Sequence, residues 1–364
     1  MLLPIENEPR DYAWGRRGAI SALLGRPATD AVEAELWLGA HAGSSARIAG
    51  TGQPLAGLVP ELPFLLKVLA VAAPLSLQAH PTAEQAREGH RREDAMGIPL
   101  DAPERNYNDV HPKPELVVAV TRFEALSGFR PAAEAAEAIG SAAGEAGAAS
   151  VRPLLDRLGD DAALGDALVW LLAAGAEARA AVEAVSRGLV TRPAGLGYAA
   201  RIAALHPGDP GVVGALLLHH VVLEPGEALY LPAGNVHAYL DGIGIELMAP
   251  SDNVLRGGLT AKHVDVGELG RVLRRAAGPV PLLAATPIDG GALYAPEGAG
   301  FSLALLRGPA ELALAGPLIA LCTDGEFELT GGSSSVRVGR GDAVLALDAP
   351  ALRISGAGAL YAAR

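Results

Sequence analysis

Residues that could hold a metal ion or move a proton are concentrated in four short blocks. The most specific block is GEALYLPAGNVHAYLD (residues 226–241), in which a tight Pro/Gly turn separates two predicted strands. Side chains alternate along a strand, so His237 shares one face with Asn235 and Tyr239. We expect His237 to point into a barrel as a metal ligand. The competing explanation is a barrel that kept its turns and lost its metal.

The second block is LSLQAHP (residues 75–81), in which Ser76, Gln78 and His80 alternate with apolar residues. Alternation predicts that these three polar side chains share one face of a strand. Two of them, Gln78 and His80, are candidate metal ligands. Taken alone, a block of this kind is more commonly explained by a hydrogen-bonded surface strand.

The third block is HPKPEL (residues 111–116), whose prolines favour extended backbone. Extended backbone places His111, Lys113 and Glu115 on one face, with Glu115 as a candidate ligand. A solvated ion pair on an edge strand is the alternative for this block.

The fourth block is PSDNVLRGGLTAK (residues 250–262), a glycine-containing loop with two cations, Arg256 and Lys262. The guanidinium of Arg256 could clamp a phosphate or an enediolate through its fork of donors. The alternative is a surface loop whose cations are only solvated.

Together, the blocks offer one glutamine, two histidines and one glutamate, a set of nitrogen and oxygen ligands that suits zinc and is tolerated by manganese, cobalt or iron. A divalent metal held by these groups keeps a net positive charge. Such a centre could polarise a carbonyl or hydroxyl group and stabilise an enediolate.

The elements that position these blocks are mainly strands. Residues 1–130 mix short apolar runs with turn residues and contain one predicted helix, with Thr82 as its N-cap and Gly97 as its stop. Residues 131–205 are alanine-rich with helical spacing, although a flexible linker is an alternative near 140–150. Strands resume in 206–278, with a short helix in VGELGRVLRRAAG.

Residues 279–364 are predicted to be a second, degenerate barrel. The segment RVGRGDAVLALDAP parallels LEPGEALYLPAGN in spacing, but no histidine follows His263. The fold class is therefore mainly β. We expect a catalytic barrel domain (1–130 and 206–278), an inserted α-helical subdomain (131–205) and a C-terminal β domain (279–364).

Composition narrows the class of partner. The 29 basic and 41 acidic residues give a net charge of −12, which disfavours nucleic acid and requires any phosphate site to be locally basic. Cys322 is the single cysteine, the apolar runs are too short to span a membrane, and the N-terminus lacks a signal-peptide pattern. We expect a cytoplasmic protein without a membrane role. The oligomeric state is open, and a monomer is plausible.

The four blocks, in the order in which they occur along the chain, resemble the signature blocks of the type I mannose-6-phosphate isomerases, which belong to the cupin superfamily. YAWG (residues 12–15) and ELWLGAH (35–41) are similar to further family blocks. The resemblance covers residues 1 to about 265. It implies a cupin (jelly-roll) barrel, one zinc ion per chain and reversible conversion of mannose 6-phosphate to fructose 6-phosphate through a cis-enediol.

The resemblance also implies residue roles. The implied zinc ligands are Gln78, His80, Glu115 and His237, and Arg256 is the implied catalytic arginine. Ser76, Lys113 and Lys262 would lie near the substrate, and we add Tyr239 and Asn235 as substrate contacts. Lys113, Glu246 and a metal-bound water are the candidates for the general base.

This chain departs from the family pattern at Pro112, which separates His111 from Lys113, and at Gly257-Gly258, where one bulkier residue is often seen. The second departure predicts a looser loop under Arg256. The alternatives to the implied function are a cupin isomerase for another sugar or sugar phosphate, and a non-catalytic sugar-binding cupin. Within carbohydrate metabolism the pathway is open, with GDP-mannose biosynthesis as one possibility. His41, His90, His206 and His263 are expected to be structural or surface residues.

Overall fold

The computed structural model describes residues 1–191 and 195–364. Residues 192–194, which fall within the helical insertion predicted for 131–205, lie outside the described residues. Among the residues that the structure describes, none of the helices combines the length and the apolar character needed to cross a membrane.

The chain before residue 131 is mostly extended, with one short 3₁₀ turn at Leu55–Gly57. Its strands and helices are β1 (Leu2–Glu6), β2 (Arg16–Arg17), α1 (Ala19–Leu23), β3 (Val32–Glu33), β4 (Glu35–Leu38), β5 (Arg47–Ile48), β6 (Leu65–Val71), β7 (Gln78–Ala79), α2 (Ala83–Ala95), β8 (Glu115–Ala119) and β9 (Phe123–Phe129).

Helix α2 confirms the prediction made from its end signals. The Thr82 side chain accepts a hydrogen bond from the backbone N–H of Gln85, and the Gln85 side chain accepts one from the backbone N–H of Thr82. This capping box satisfies two N–H groups that would otherwise lack a partner. Gly97 follows the helix with φ +72°, a conformation that glycine adopts without strain.

The described residues of the middle region form helices, as expected. They are α3 (Ala132–Leu155), α4 (Leu164–Leu172), α5 (Ala176–Thr191), α6 (Gly197–Leu205) and α7 (Gly211–Gly214), followed by a 3₁₀ turn at Ala215–Leu217. The alternative of a flexible linker near residues 140–150 is not supported, because they lie in α3, whose helical geometry is interrupted at Gly144.

Strands resume after the helices. They are β10 (Leu218–Leu223), β11 (Ala228–Leu231), β12 (His237–Met248) and β13 (Leu255–Arg256), and α8 (Val266–Val272) follows them. The last region contains β14 (Thr286–Ile288), β15 (Gly291–Tyr294), β16 (Leu303–Leu306), β17 (Ala310–Ala313), β18 (Leu318–Gly331), β19 (Ser334–Gly339), β20 (Ala343–Ala346) and β21 (Ala351–Ala363).

These strands form two large antiparallel sheets. The site sheet contains β4 and β6 to β13, with the long strand β12 paired to β6, β7, β8 and β9. The C-terminal sheet contains β14 to β21 together with β1 and β5. Strand β1 pairs with β20, so the first residues of the chain complete the C-terminal sheet. The division into three domains stays a prediction, whereas the mainly β architecture with inserted helices is confirmed.

One hydrophobic core joins the two sheets. Alternate residues of the site sheet, such as Leu66 and Val68 of β6, belong to the same buried cluster as Leu305 and Ile319 of the C-terminal sheet. The residue between them, Lys67, faces the other way and lines a cavity. The C-terminal sheet therefore covers the apolar face of the site sheet, and the polar residues lie on the opposite face. Because β6 is covered on both faces, all seven of its residues are buried.

Candidate active site

Three side chains from different parts of the sequence converge inside the barrel of the site sheet. His80 follows β7, Glu115 begins β8 and His237 begins β12, and a potential ligand atom of each lies within 4.8 Å of those of the other two. All three side chains are buried. Sequence predicted each of them as a ligand.

Backbone carbonyls fix the orientation of both imidazoles. His80 Nδ1 lies 2.8 Å from the carbonyl oxygen of Asn253, and His237 Nδ1 lies 3.0 Å from that of Asn235. A carbonyl only accepts, so Nδ1 carries the proton in each ring and the lone pair of Nε2 is free. Each Nε2 lies 3.3 Å from an oxygen of Glu115.

Three of these buried atoms have no hydrogen-bond partner among the described residues: Nε2 of His80, Nε2 of His237 and Oε2 of Glu115. Unpartnered buried polar atoms are rare because each one has lost water without a replacement. Two imidazole nitrogens and a carboxylate oxygen that face one another suit zinc. The residues present therefore fit a zinc ion.

Gln78 lies beside this triad. In the sheet it pairs with His237 on one side and with Arg256 on the other. It also lines the cavity that adjoins the triad. The fourth predicted ligand is thus a strand neighbour of His237, and the predicted catalytic arginine is a strand neighbour of Gln78.

The electrostatics favour metal-binding protonation states at neutral pH. Burial lowers the pKa of His80 to about 4, which keeps its ring neutral. Burial alone would raise the pKa of Glu115, but the ammonium of Lys113, 3.1 Å from Oε1, favours the ionised carboxylate, and the pKa lies well below its usual value. A neutral imidazole and an ionised carboxylate need not lose a proton to bind a metal ion.

A cavity of about 340 Å³ adjoins the triad through Gln78 and Lys113, which line it and neighbour His237 and Glu115. Four cationic side chains line it: Lys67, Lys113, Arg256 and Lys262. Tyr12, Trp14 and Trp37 add aromatic surface, and Ser76 and Thr260 add hydroxyl groups. A polar molecule with negative charge and apolar patches, such as a phosphorylated sugar, matches this lining.

Lys67 was missed by sequence reasoning. Its Nζ lies 3.4 Å from Oε2 of Glu35 and 3.4 Å from Oε2 of Glu246, and 4.7 Å from the centre of the Trp37 ring. Burial would lower the pKa of Lys67, but the two carboxylates hold it above its ordinary value. The sequence did contain a signal for this residue: a single lysine within the apolar strand LLKVLAV, since a buried lysine needs a charged partner.

Glu246 lies behind Lys67, on β12. Its Oε1 accepts a hydrogen bond of 3.0 Å from the hydroxyl of Tyr239. Burial raises the pKa of Glu246 to about 7, because the charge of Lys67 only partly offsets the loss of solvent and the repulsion of Glu115.

The predicted substrate residues fall into two groups. Ser76 and Lys262 line the cavity, as does the predicted catalytic residue Lys113. Tyr239 and Asn235 are buried and bonded within the protein, Tyr239 to Glu246 and Asn235 to the Ser127 hydroxyl at 3.0 Å. Within residues 1–191 and 195–364, neither of these two side chains is among those that line the cavity.

The loop that carries Arg256 is held firmly, which corrects the expectation of a looser loop. Gly257 N–H donates to Leu77 O at 2.7 Å, and Leu77 N–H donates to Gly258 O at 3.1 Å. Gly258 has φ +111°, and a Cβ there would lie 2.9 Å from Cα of Gly211. The two glycines allow close backbone packing rather than mobility.

His41 was expected to be a structural or surface residue, but its position is more specific. It lines the cavity, and its Nε2 lies 3.2 Å from Oδ2 of Asp252 in the opposite loop. His111 was expected to share one face with Lys113 and Glu115, but its side chain is exposed whereas theirs are buried. Its backbone carbonyl accepts hydrogen bonds from Asn253 and Ser251.

The site is locally less negative than the protein as a whole. The four cations of the cavity are matched by four carboxylates in and behind its wall, Glu35, Glu115, Glu246 and Asp252. A divalent cation at the triad would give the site a net charge of about two positive units. A phosphate dianion has the complementary charge.

Comparisons with known proteins agree with this geometry. The family model described as phosphomannose isomerase type I, catalytic domain, matches residues 52–132. A mannose-6-phosphate isomerase from Escherichia coli K12 is 37% identical over 309 residues, which cover 79% of this chain and 78% of that protein. The human mannose-6-phosphate isomerase is 31% identical over 319 residues, which cover 75% and 73%.

Solved structures give the same result over the full length. The apo form of a mannose 6-phosphate isomerase from Salmonella typhimurium aligns with a TM-score of 0.89 at 31% identity, covering 100% of this chain and 98% of that one. A holo, zinc-bound mannose 6-phosphate isomerase aligns equally well, with a TM-score of 0.89, 31% identity and the same coverage. The predicted cupin fold is thereby confirmed.

Proposed function

This chain belongs to the type I mannose-6-phosphate isomerase family, and we propose that it holds its zinc ion with the four residues predicted from sequence, Gln78, His80, Glu115 and His237. It is a zinc-dependent aldose–ketose isomerase that interconverts mannose 6-phosphate and fructose 6-phosphate. The observation that carries the ligand assignment is the convergence of three buried atoms without hydrogen-bond partners in the described chain. When bound there, zinc supplies a Lewis acid that polarises an oxygen of the substrate.

Binding of the substrate phosphate is assigned to the cations of the cavity. Arg256 and Lys262 lie on the same loop, and Ser76 lines the cavity nearby. Burial lowers the pKa of Arg256, but a guanidinium is so basic that it stays charged. Its fork of donors suits either the phosphate or the negative charge that develops on the cis-enediol.

Proton transfer between C1 and C2 is assigned to Lys113 and Glu246, at different distances from the substrate. Lys113 lines the cavity, with Nζ 3.1 Å from Oε1 of Glu115, so it is the candidate for contact with the substrate. Glu246 lies behind Lys67. A carboxyl with a pKa of about 7 can take up and release a proton near neutral pH, which suits a proton store.

Tyr239 and Asn235 are assigned supporting roles. Tyr239 donates a hydrogen bond to Glu246, and the backbone carbonyl of Asn235 orients His237. Both positions lie one step behind the atoms that would contact a substrate.

The test is a coupled assay of mannose 6-phosphate conversion on metal-analysed protein, before and after chelation, with glucose 6-phosphate as the control substrate. We expect turnover of mannose 6-phosphate that disappears on chelation and returns with zinc. Stoichiometric zinc without turnover of this substrate would instead favour another sugar or a binding role.

The cytoplasmic location and a place in GDP-mannose biosynthesis are proposals that rest on sequence and resemblance. The substrate is a small molecule, and the number of subunits stays open. Size-exclusion chromatography with light scattering would determine the oligomeric state.

A further inference from the structure

We propose that Asn253 is a positioning residue that sets the affinity of this chain for zinc, by joining the segment that carries Glu115 to the loop that orients His80. The inference rests on the proposed metal site. It concerns three residues that are joined by hydrogen bonds, here called the Asn253 clasp: Asp109, Ser251 and Asn253.

The side-chain amide of Asn253 uses its full hydrogen-bonding capacity on one neighbouring segment. Its Oδ1 accepts from the backbone N–H of Asn108 at 2.8 Å and of Asp109 at 3.2 Å. Its Nδ2 donates to the backbone carbonyls of Asp109 and His111, both at 2.9 Å. A side chain with no exposed surface that satisfies two donors and two acceptors fixes the backbone on which it acts.

Asp109 and Ser251 strengthen the same junction. The carboxylate of Asp109 accepts from the Ser251 hydroxyl at 3.0 Å and from the backbone N–H of Asp252 at 2.9 Å. Ser251 Oγ in turn accepts from the backbone N–H of Asn253 at 3.2 Å. Hydrogen bonds to an ionised group are stronger than those between neutral groups, so the two segments are held from both sides.

The clasp reaches two metal ligands. The backbone carbonyl of Asn253 accepts the Nδ1 proton of His80 at 2.8 Å, so any shift of this carbonyl rotates the ring that presents Nε2. On the other side, the clasped carbonyl of His111 is followed by Pro112 and Pro114, whose fixed φ angles limit slack before Glu115. One amide thus couples the positions of His80 and Glu115.

The test compares zinc dissociation constants of the full-length protein, measured by competition with a fluorescent chelator, for wild type and Asn253→Ala. We expect binding weakened by about 10- to 100-fold, the effect typical of removing a residue that orients a metal ligand. Activity of the variant should return as free zinc is raised, because the catalytic groups themselves are intact. A cobalt-substituted sample should show a changed visible spectrum.

Asn106→Ala is the matched control. It makes the same chemical change at a half-buried amide whose Nδ2 bonds to Glu93 and Asp265 and not to a ligand-bearing segment. It should destabilise the fold without changing the zinc dissociation constant. Ser251→Ala, which removes one hydroxyl of the clasp, is the milder variant if Asn253→Ala does not fold, and we expect a smaller loss of affinity.

A folded Asn253→Ala protein with the zinc dissociation constant of wild type would overturn the inference, as would an equal loss in Asn106→Ala. If wild-type protein itself takes up no zinc, the proposed metal site fails first.

Discussion

Replacement of Lys67 by methionine removes one buried charge and nearly preserves the volume of the side chain. Lys67 is 7% exposed, and its ammonium lies between the carboxylates of Glu35 and Glu246. The variant therefore leaves two buried carboxylates without their shared cation. Breaking a buried ion pair from one side typically costs about 3–5 kcal/mol of the free energy of unfolding.

The pH dependence of this loss has a definite sign. The charge of Lys67 lowers the pKa of Glu246, which is about 7 in the native protein, so the variant should raise that pKa further. A carboxyl whose native pKa exceeds its unfolded value favours the native state at low pH and loses this advantage as pH rises through the native pKa. We expect a smaller cost at about pH 6, where Glu246 is mostly protonated, and a larger cost, about 3 kcal/mol or more, at about pH 8.

The assay is urea-induced unfolding followed by circular dichroism at both pH values, with the same zinc concentration throughout. Lys262→Met is the control, because it makes the same substitution at an exposed cation and should change stability by about 0.5 kcal/mol or less. The double variant Lys67→Met/Glu246→Gln should recover about 1 kcal/mol or more, since it also removes one unpaired carboxylate. Equal stability of Lys67→Met and wild type at both pH values would refute the reasoning.

Three further predictions concern other parts of the structure. Burial alone would raise the pKa of Glu124, but Arg122 and Arg201 hold it at about 2, so its ion pairs stabilise the fold above the unfolded pKa and this stability is lost as pH falls towards 2. Glu124→Gln should therefore cost about 1–2 kcal/mol of the free energy of unfolding at neutral pH, because solvent screens the half-exposed arginines. Urea titrations should show that the difference from wild type shrinks at low pH. Gly258→Ala places a side chain at φ +111°, so calorimetry should show a loss of about 1–3 kcal/mol of the free energy of unfolding, and the coupled assay should show a lower kcat/KM. The control Gly278→Ala, whose new Cβ meets no atom within 4 Å, should behave like wild type. Arg256→Lys keeps the charge but loses the fork of donors, and should lower kcat/KM by about 100-fold in the same assay with little change in Tm; an unchanged kcat/KM would remove Arg256 from the catalytic groups.

The convergence of the candidate metal ligands could be predicted because the signals for them are local. The turn before His237, the alternation around Gln78 and His80, and the prolines around Glu115 each determine backbone direction over a few residues. Helix α2 was equally predictable, since its N-cap and its glycine stop lie directly beside the two ends of the helix in the sequence.

The contacts that sequence could not supply depend on partners far along the chain. Lys67 is explained by Glu35 and Glu246, which reach it across two strand pairings. Strand β1 pairs with β20, which lies more than 300 residues further along the chain. Tyr239 was expected on the face of His237, but its hydrogen bond to Glu246 depends on the register shift between Tyr239 and Asp241 in β12, which alternation does not predict. Likewise, Gly257-Gly258 gave no indication of the close packing against Gly211.

The central claim is that this chain binds one zinc ion through the convergent atoms of His80, Glu115 and His237, with Gln78 beside them. The most direct measurement is zinc stoichiometry by elemental analysis after equilibrium dialysis, on wild type and on Glu115→Gln, with folding of both checked by circular dichroism. We expect one zinc per wild-type chain and a large loss of zinc from a folded Glu115→Gln protein. Equal zinc content in the two proteins would contradict it.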